Sequence, residues 1–387
     1  MAQRHWVGGS ANWDNTAGSK WSLTAGGSGG QAVPTVNDDV FLDSSSGANT
    51  VTISASAICK SLDCTGFTGT LAGSSALQVN GNITLVSGMT FSWSGELTIG
   101  NTNTCTLTSG GKSFSNTIHL NINVTLGSTF VSTGGFSIEN PITFDDGGFN
   151  FKCLYLDLGS NAVTLTAGAT TWEMTGYDVS NIAISFNNSG AKTLNLTAGH
   201  TFKFTNTSNT NIRYKFQVGN GYAAYTLKNV WFARGASTGN NFFDGNLTCT
   251  DIKDTGTAAH GLYFTGALFG GSYTFTTFTV SGSSGNVISI GSSDGSSIST
   301  VFSHNLICST GTISCDYLSI TRSTASGGAT FYAGANSTNV ANNSGWIFTG
   351  PPVGPTNLKS YDTNVKSNIK SINTNPIANI KSLNTNT

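Results

Sequence analysis

Short runs of alternating apolar and polar residues, separated by Gly, Asn and Ser, recur along most of the chain and constrain its fold more than any other feature. The stretch from Leu77 to Gly100, LQVNGNITLVSGMTFSWSGELTIG, holds four such runs, and similar text follows as CTLTSGG, IHLNINVTLGS, AVTLTAGA and TLNLTAGH. A period of two predicts β-strands, and the residues between the runs favour tight turns. One strand-turn unit cannot bury its apolar face alone, so the sequence predicts an all-β solenoid of stacked units around one core.

The polar half of the composition is almost uncharged. Only 9% of the 387 residues are charged, Gly alone supplies 48, and the formal net charge is -1. Ordinary globular enzymes contain about a quarter charged residues, so this composition favours a repetitive β protein. A near-zero charge provides no basic field for nucleic acid, which we therefore do not expect as a partner.

The chain contains no long apolar segment. No run approaches the ~18 apolar residues of a membrane span, so we expect no membrane insertion. The opening MAQRHWVGG also lacks the apolar core of a secretory signal. This pattern is typical of an export-independent product, such as a virion component released by lysis, or of a chain trimmed of its signal.

Seven cysteines are scattered along the chain, and their odd number argues against a disulfide framework. Several precede strand-like runs, as small buried apolar residues do, so we expect buried free thiols. Neither a His nor a second Cys pair stands at zinc spacing. We therefore expect neither a metal nor another cofactor.

The residues before position 50 differ from the repeats. Trp6, Trp13 and Trp21 lie among Gly and Asn and precede the array, as large aromatics that close a first turn against water would. The alternative is a tryptophan platform that stacks on carbohydrate. We assign residues 1–50 to an N-terminal cap and 51–349 to the solenoid, with ~12 to 15 turns at ~4.8 Å each.

The middle of the chain is rich in aromatic residues. Stacked aromatic ladders inside the coil are one interpretation, and a surface stripe offered to a sugar or to a neighbouring subunit is the other. The residues concerned are Phe202, Phe204, Tyr214, Phe216, Tyr222, Tyr225, Trp231, Phe232, Phe242 and Phe243.

The sequence pattern changes after residue 349. A stiff linker, residues 350–356 with the sequence GPPVGPT, leads into three eleven-residue repeats in residues 357–387: NLKSYDTN, NIKSINTN and NIKSLNTN. Eleven residues could indicate helices in a right-handed supercoil, but the Asn-rich units favour short strands and turns. A tail of this size cannot bury its own core, so it is either disordered or docked, and we expect an assembly role. The assembly residues would be Leu358, Tyr361, Ile369, Ile372, Ile380 and Leu383.

Both ends of the array resemble a known kind of protein. The segment HWVGGSANWDNTAGSKWS followed by VPTVNDDVFLD resembles the opening of bacterial and phage surface β-helix proteins, including autotransporter-associated repeat proteins. The segment from Cys315, CDYLSITRSTASGGATFYAGANSTNVANNSGWIF, is similar to their last turns, and the NIKS repeats are similar to those that end some phage proteins. The resemblance implies a right-handed parallel β-helix with an extracellular or virion-surface role and no defined catalytic residues.

Catalysis on such a fold would require paired carboxylates, because enzymatic β-helices mostly cleave polysaccharides. If the protein were an enzyme, the candidates would be Asp145, Asp146 and Glu173. Asp145 and Asp146 are adjacent, so on a strand they point to opposite faces and make a poor acid-base pair. We therefore expect no catalytic residues.

These features lead to one functional expectation and two alternatives. We expect a non-enzymatic virion structural protein, a fibre, spike or capsid-decorating β-helix rod at the virion surface. Its partners would be other virion proteins and further copies of itself, as a homotrimer assembled through the C-terminal repeats. The alternatives are a bacterial cell-surface adhesin that binds host glycans and a tailspike-like polysaccharide depolymerase.

Overall fold

The protein is a parallel β-helix with three strands in each turn. The computed structural model describes residues 2–14, 16, 18–100, 104–186, 192–216, 225–265, 271–294 and 297–352. Strands that follow one another in the chain lie on successive faces, and almost every strand pairs in parallel with the one three places ahead. This arrangement confirms the all-β solenoid expected from the sequence.

The strands form three faces, and only one short 3-10 turn, Ser44–Ser46, interrupts them among the described residues. The first face contains β1 (Gln3–Trp6), β4 (Asp39–Phe41), β7 (Ser61–Asp63), β10 (Ile83–Thr84), β13 (Cys105–Thr108), β16 (Val124–Leu126), β19 (Thr143–Asp145), β22 (Val163–Ala167), β25 (Lys192–Leu196), β28 (Tyr225–Thr226), β31 (Leu247–Thr248), β34 (Ser272–Thr274), β37 (His304–Cys308) and β40 (Ser323–Gly327), with β3 (Trp21–Ser22) at its start. The second face contains β2 (Ala11–Trp13), β5 (Thr50–Ile53), β8 (Thr70–Gly73), β11 (Thr90–Phe91), β14 (Ser113–Phe114), β17 (Phe130–Ser132), β20 (Phe151–Cys153), β23 (Thr171–Met174), β26 (Thr201–Phe204), β29 (Asn229–Phe232), β32 (Asp251–Asp254), β35 (Thr277–Thr279), β38 (Thr312–Ser314), β41 (Thr330–Tyr332) and β43 (Trp346–Ile347).

The third face is one continuous sheet of thirteen strands. At ~4.8 Å per strand this ladder corresponds to a rod about 60 Å long, within the range expected from the sequence. Its strands are β6 (Ala57–Cys59), β9 (Leu77–Val79), β12 (Leu97–Ile99), β15 (Ile118–Leu120), β18 (Phe136–Ile138), β21 (Leu156–Asp157), β24 (Ile182–Ser185), β27 (Ile212–Lys215), β30 (Asn241–Asp244), β33 (His260–Thr265), β36 (Ile288–Ser293), β39 (Leu318–Thr321) and β42 (Thr338–Ala341).

The alternation in the sequence sets which side chains enter the core. The stretch from Leu77 to Gly100 forms one full turn, β9 to β11, and the first strand of the next, with Leu77 in register with Leu97. Leu77, Val79 and Leu97 are buried inside the coil, while Gln78, between the first two, points outward. Each turn packs its apolar residues against those at equivalent positions in the adjacent turns, so a single turn is stable only within the stack.

Most of the middle aromatic residues form an interior ladder. Phe204 stacks on Phe232 at 5.5 Å between ring centroids, and Phe232 meets Phe243 edge-on at 5.2 Å. Eight of the ten residues named above are buried, although Phe242 stacks on Tyr263 outside the interior core, Tyr222 lies outside the described residues, and Trp231 is the only described member that is not buried. The interior ladder is confirmed for most of this group.

The seven cysteines are free and buried, as the sequence predicts. Burial disfavours the thiolate and raises the pKa of the thiols of Cys59, Cys64 and Cys105, the last to about 12. These thiols fill the core and have little nucleophilic character.

The N-terminal end of the rod is closed. Strand β3 runs antiparallel across β1, and the Trp21 ring meets Trp6 at 5.0 Å and Trp13 at 5.1 Å, edge-on in both cases. All three indoles are at most 2% exposed, so none has a face available for stacking on a sugar. Strands β1, β2 and β4, which lie within residues 1–50, already extend the first and second faces.

Among the described residues, no helix is long and apolar enough to cross a membrane.

Candidate functional site on the outer surface of the middle turns

Five outward residues line up on the second face, and we call them the lysine-tryptophan stripe. The stripe consists of Lys152, Glu173, Lys203, Trp231 and Lys253, one on each of the strands β20, β23, β26, β29 and β32. Each residue is in direct register with the next, so neighbours in the stripe are separated by one strand spacing of ~4.8 Å. The stripe concentrates three cations in a chain of very low charge.

Trp231 is the single tryptophan of seven that is not part of the buried core. The Lys203 Nζ lies 4.5 Å from the centre of its ring and the Lys253 Nζ lies 4.6 Å from it. Its Nε1 donates a hydrogen bond to the Thr255 hydroxyl at 2.8 Å. An indole between two ammonium groups is favourable for both, because the ring face is electron-rich.

Glu173 is held as an anion within the stripe. Its carboxylate accepts from Lys152 Nζ at 2.9 Å and from the Thr205 hydroxyl at 2.9 Å, and Lys203 Nζ lies 3.9 Å away. Partial burial works to raise the pKa of the carboxyl, but the hydrogen bonds and the two ammonium charges outweigh it and lower its pKa below the usual value. A general acid requires the opposite shift, so this environment suits a structural ion pair.

A row of small polar groups runs beside the stripe on the same strands. Thr201, Asn229, Asp251 and Thr277 are in register on β26, β29, β32 and β35. Asn229 donates to the Thr201 hydroxyl at 3.3 Å, and Thr277 donates to Asp251 at 2.6 Å. The outer second face therefore presents three cations, two carboxylates, one indole and hydroxyl or amide groups along six successive turns.

The two aspartates considered for catalysis lie on the first face and are separated by the wall of the coil. Asp145 points outward from β19 and accepts from the Gly147 amide at 2.8 Å. Asp146 is fully buried and accepts from the Trp172 Nε1 at 3.0 Å and from the Thr170 hydroxyl. Glu173 follows Trp172 and points to the other side of β23, so these three carboxylates do not line one cleft.

Asp146 begins an interior hydrogen-bond chain that sequence reasoning did not find. Thr170 donates to the carboxylate and contacts His200 Nδ1 at 3.3 Å, and the His200 ring meets Trp172 edge-on at 5.2 Å. Desolvation outweighs the attraction of Asp146 and lowers the pKa of His200 to about 4. A neutral buried histidine beside a buried hydroxyl is closed to substrate, so this chain stabilises the core.

The remaining sequence-predicted site residues do not add to this surface. The six assembly residues of the C-terminal repeats lie outside the described part of the chain. Within the described ranges, no three His, Cys, Asp or Glu side chains are grouped closely enough to hold a metal ion. The outer second face, with its lysines beside an exposed indole, is therefore the candidate site.

Comparison with protein-family models, curated proteins and solved structures finds no match for this chain.

The stripe had no visible signal in the sequence. Its five members are separated by 21, 30, 28 and 22 residues, so no fixed period connects them. Each is an ordinary outward residue of a short strand, and only the lengths of the intervening corners bring them into one row.

Proposed function

We propose that this protein is a non-enzymatic structural rod of a virion, a fibre, spike or capsid-decorating protein that is attached or assembled through its C-terminal repeats. The observation that carries the proposal is the asymmetry of the rod. One continuous ladder of thirteen strands runs from the closed N-terminal end to a last turn on which no further described strand stacks, and the sequence then continues into the linker and the repeats. A rod with one finished end and one unfinished end is suited to projection from a larger assembly.

The composition supports the same role. Backbone ladders along three faces and a core of stacked side chains resist local opening, and sparse charge makes the rod insensitive to ionic strength. The three candidate catalytic carboxylates serve a turn, a buried hydrogen-bond chain and an ion pair. These structural uses are expected of a mechanical element.

Deletion of residues 351–387 tests the proposal. The truncated protein should keep the β signal in circular dichroism but lose attachment to particles, measured by mass spectrometry of purified particles from cells that express either form. Equal incorporation of both forms would contradict the attachment role. Absence of the full-length protein from the particles would contradict the virion location.

A second candidate function, a glycan-binding adhesin, is favoured by the outward Trp231. Both neighbouring strands place an ammonium group over its ring, at 4.5 and 4.6 Å, so we expect an acidic sugar whose carboxylate pairs with Lys203 and Lys253. A glycan array probed with the full chain should reveal acidic glycans whose binding falls at least tenfold in Trp231→Ala and Lys203→Ala. Lys60→Ala, which removes a lysine near the N-terminal end, is the matched control. Equal glycan binding by all variants would exclude the lysine-tryptophan stripe as the binding site.

The third possibility, a depolymerase, has a direct test. Release of reducing ends from capsule that disappears in Asp145→Asn, Asp146→Asn or Glu173→Gln would overturn the structural proposal.

A further inference from the structure

The last strand of the third face is exposed, whereas each of the twelve strands before it buries at least one residue. In the third face, β42 is the only one of the thirteen described strands without a buried residue, and all four of its residues are exposed. The preceding strand, β39, buries Leu318 and Ile320 completely. Asn339 of β42 is in register with Ile320, and the register shifts just after this pair.

Apolar side chains and free strand edges coincide at this end. Val340 is 55% exposed and Ile347 is 40% exposed, although both lie in strands. In the described ranges, no strand pairs with the outer edges of β42 and β43, which end their sheets. An unpaired edge beside exposed apolar residues is a template for another strand.

The opposite end indicates what such an edge requires. There β3 pairs with β1, and Trp6, Trp13 and Trp21 cover the first turn. The C-terminal end has Trp346 and Phe331 in edge-on contact at 5.4 Å, but Val340 and Ile347 remain outside that contact. A further layer of strands would bury them.

The sequence beyond the rod supplies segments suited to this layer. Residues 357–387 contain three repeats, each with two apolar residues, a lysine and an Asn-rich turn. Three short strand-forming units match the three faces that a turn presents. Addition of an extended segment to a sheet edge gives main-chain hydrogen bonds and pockets for alternate side chains.

The connection to these repeats is stiffer than a corner of the coil. Ten residues separate Ile347 from Leu358, as many as connect β36 to β37, but the β36–β37 corner contains no proline. Those ten include Pro351, Pro352 and Pro355, and an extended proline-rich segment of this length spans ~31 Å. A linker of this stiffness and reach is long enough for the repeats to contact a neighbouring rod.

We propose that the exposed last turn, the edges of β42 and β43 with Val340 and Ile347, is closed by the eleven-residue repeats of a second copy of this chain. The inference rests on the proposed assembly role of the repeats and names their partner. In parallel rods, side by side, every copy gives its repeats to a neighbour and receives repeats in return, so the contacts close into a ring. The homotrimer expected from the sequence is one such arrangement.

Val340→Lys in the full chain tests the surface. The substituted side chain is more than half exposed in a single copy, so the fold should survive, and circular dichroism verifies it. The molar mass measured by light scattering should fall from a multiple of 40.0 kDa to 40.0 kDa, because the apolar edge that receives the repeats becomes charged in every copy. Val179→Lys, at a fully exposed valine on a turn of the middle region, is the matched control and should leave the mass unchanged. A monomeric unmodified protein, or an equal mass for Val340→Lys, would overturn the proposal.

Disulfide trapping tests which copy supplies the repeats. Two differently tagged full-length chains, one with Val340→Cys and one with Ile369→Cys or Ile372→Cys, are co-expressed and oxidised. The native thiols are buried and weakly reactive, so the new pair should dominate and yield a disulfide between the two tagged chains. Val179→Cys in place of Val340→Cys should give none.

Two results would overturn this assignment while leaving the proposed function intact. A disulfide formed within one chain, in a variant that carries both cysteines, would place the repeats on their own rod. An absence of both disulfides, combined with lost particle attachment on deletion of residues 351–387, would assign the repeats to a different virion protein.

Discussion

The early turns and the middle turns of the rod fill the same coil with different chemistry. Across the third face, registered residues are 18 to 21 positions apart between Leu77 and Leu156, and 28 to 30 apart from there to Phe243. Among the described residues from 47 to 145, the buried polar side chains are only Ser and Asn. The middle turns instead bury Asp146, His200 and Arg234 among others.

Longer corners explain the difference. An extended corner brings additional carbonyl groups inside, and each needs a donor. Arg234 supplies donors to the carbonyls of Ser208, Thr210 and Gly239 at 2.8, 2.9 and 2.7 Å. The early short turns are thus stabilised chiefly by apolar packing, whereas the long turns also depend on hydrogen bonds made by buried charged or titratable side chains.

The largest expected effect is the loss of stability when a tryptophan is replaced by alanine, which should be greater in a middle turn than near the N-terminal end. Trp172→Ala should lower the free energy of unfolding by about 5 kcal/mol, since it opens a cavity in the aromatic ladder and removes a hydrogen bond to the buried Asp146. Trp13→Ala, whose indole is buried without a carboxylate partner, should cost about 3 kcal/mol. Urea unfolding measures both, and Trp172→Phe isolates the loss of the N–H. Equal costs for Trp172→Ala and Trp13→Ala would break the comparison.

The next effect is acid sensitivity, which should reside in the long turns. His304 is buried, and desolvation lowers its pKa to about 3 from an ordinary 6.5. A depressed folded-state pKa means that the unfolded chain binds the proton better. The contribution of His304 to stability is therefore fully present above pH 6.5 and is lost as the pH drops toward 3. This one residue should cost about 3 kcal/mol at pH 4.

Comparison with His304→Gln measures that cost. Burial raises the pKa of Asp244 to about 6. The stability that this carboxyl contributes is therefore present below pH 3.8 and is lost as the pH rises through 6, and this contribution is the same in both proteins. The difference in unfolding free energy between pH 7 and pH 4 should therefore shrink by about 3 kcal/mol in His304→Gln. An unchanged pH dependence would show that this histidine titrates normally.

The smallest effect concerns the outer surface. Lys203→Ala removes one ammonium group from the Trp231 ring and one from Glu173, and should lower stability by only about 0.5 kcal/mol because both contacts face water. Chemical denaturation checks this value. A loss of more than about 2 kcal/mol of stability would show that the stripe stabilises the fold, which would weaken its assignment as a binding surface.

Local sequence pattern was sufficient for the class of fold. Alternation in short runs such as Leu77 to Val79 predicts both the strand and the side that faces the core, because side-chain direction in a strand depends only on the neighbouring residues. The burial of the cysteines and of most middle aromatics followed from the same reasoning. The three-strand turn itself did not, since turn length depends on corners whose sequences vary.

What only the tertiary structure decided is which residues meet across turns. The register that places Glu173 between Lys152 and Lys203, and Trp231 between Lys203 and Lys253, is set by corners of unequal length and has no period in the sequence. Asp146 and Asp145 are neighbours in the chain, yet one is buried and the other faces solvent. By itself the sequence determined a capped stack of β-strands with a repeated tail. Stacking decided its outer chemistry and its open last turn, because contacts between turns join residues that are about 20 to 30 positions apart.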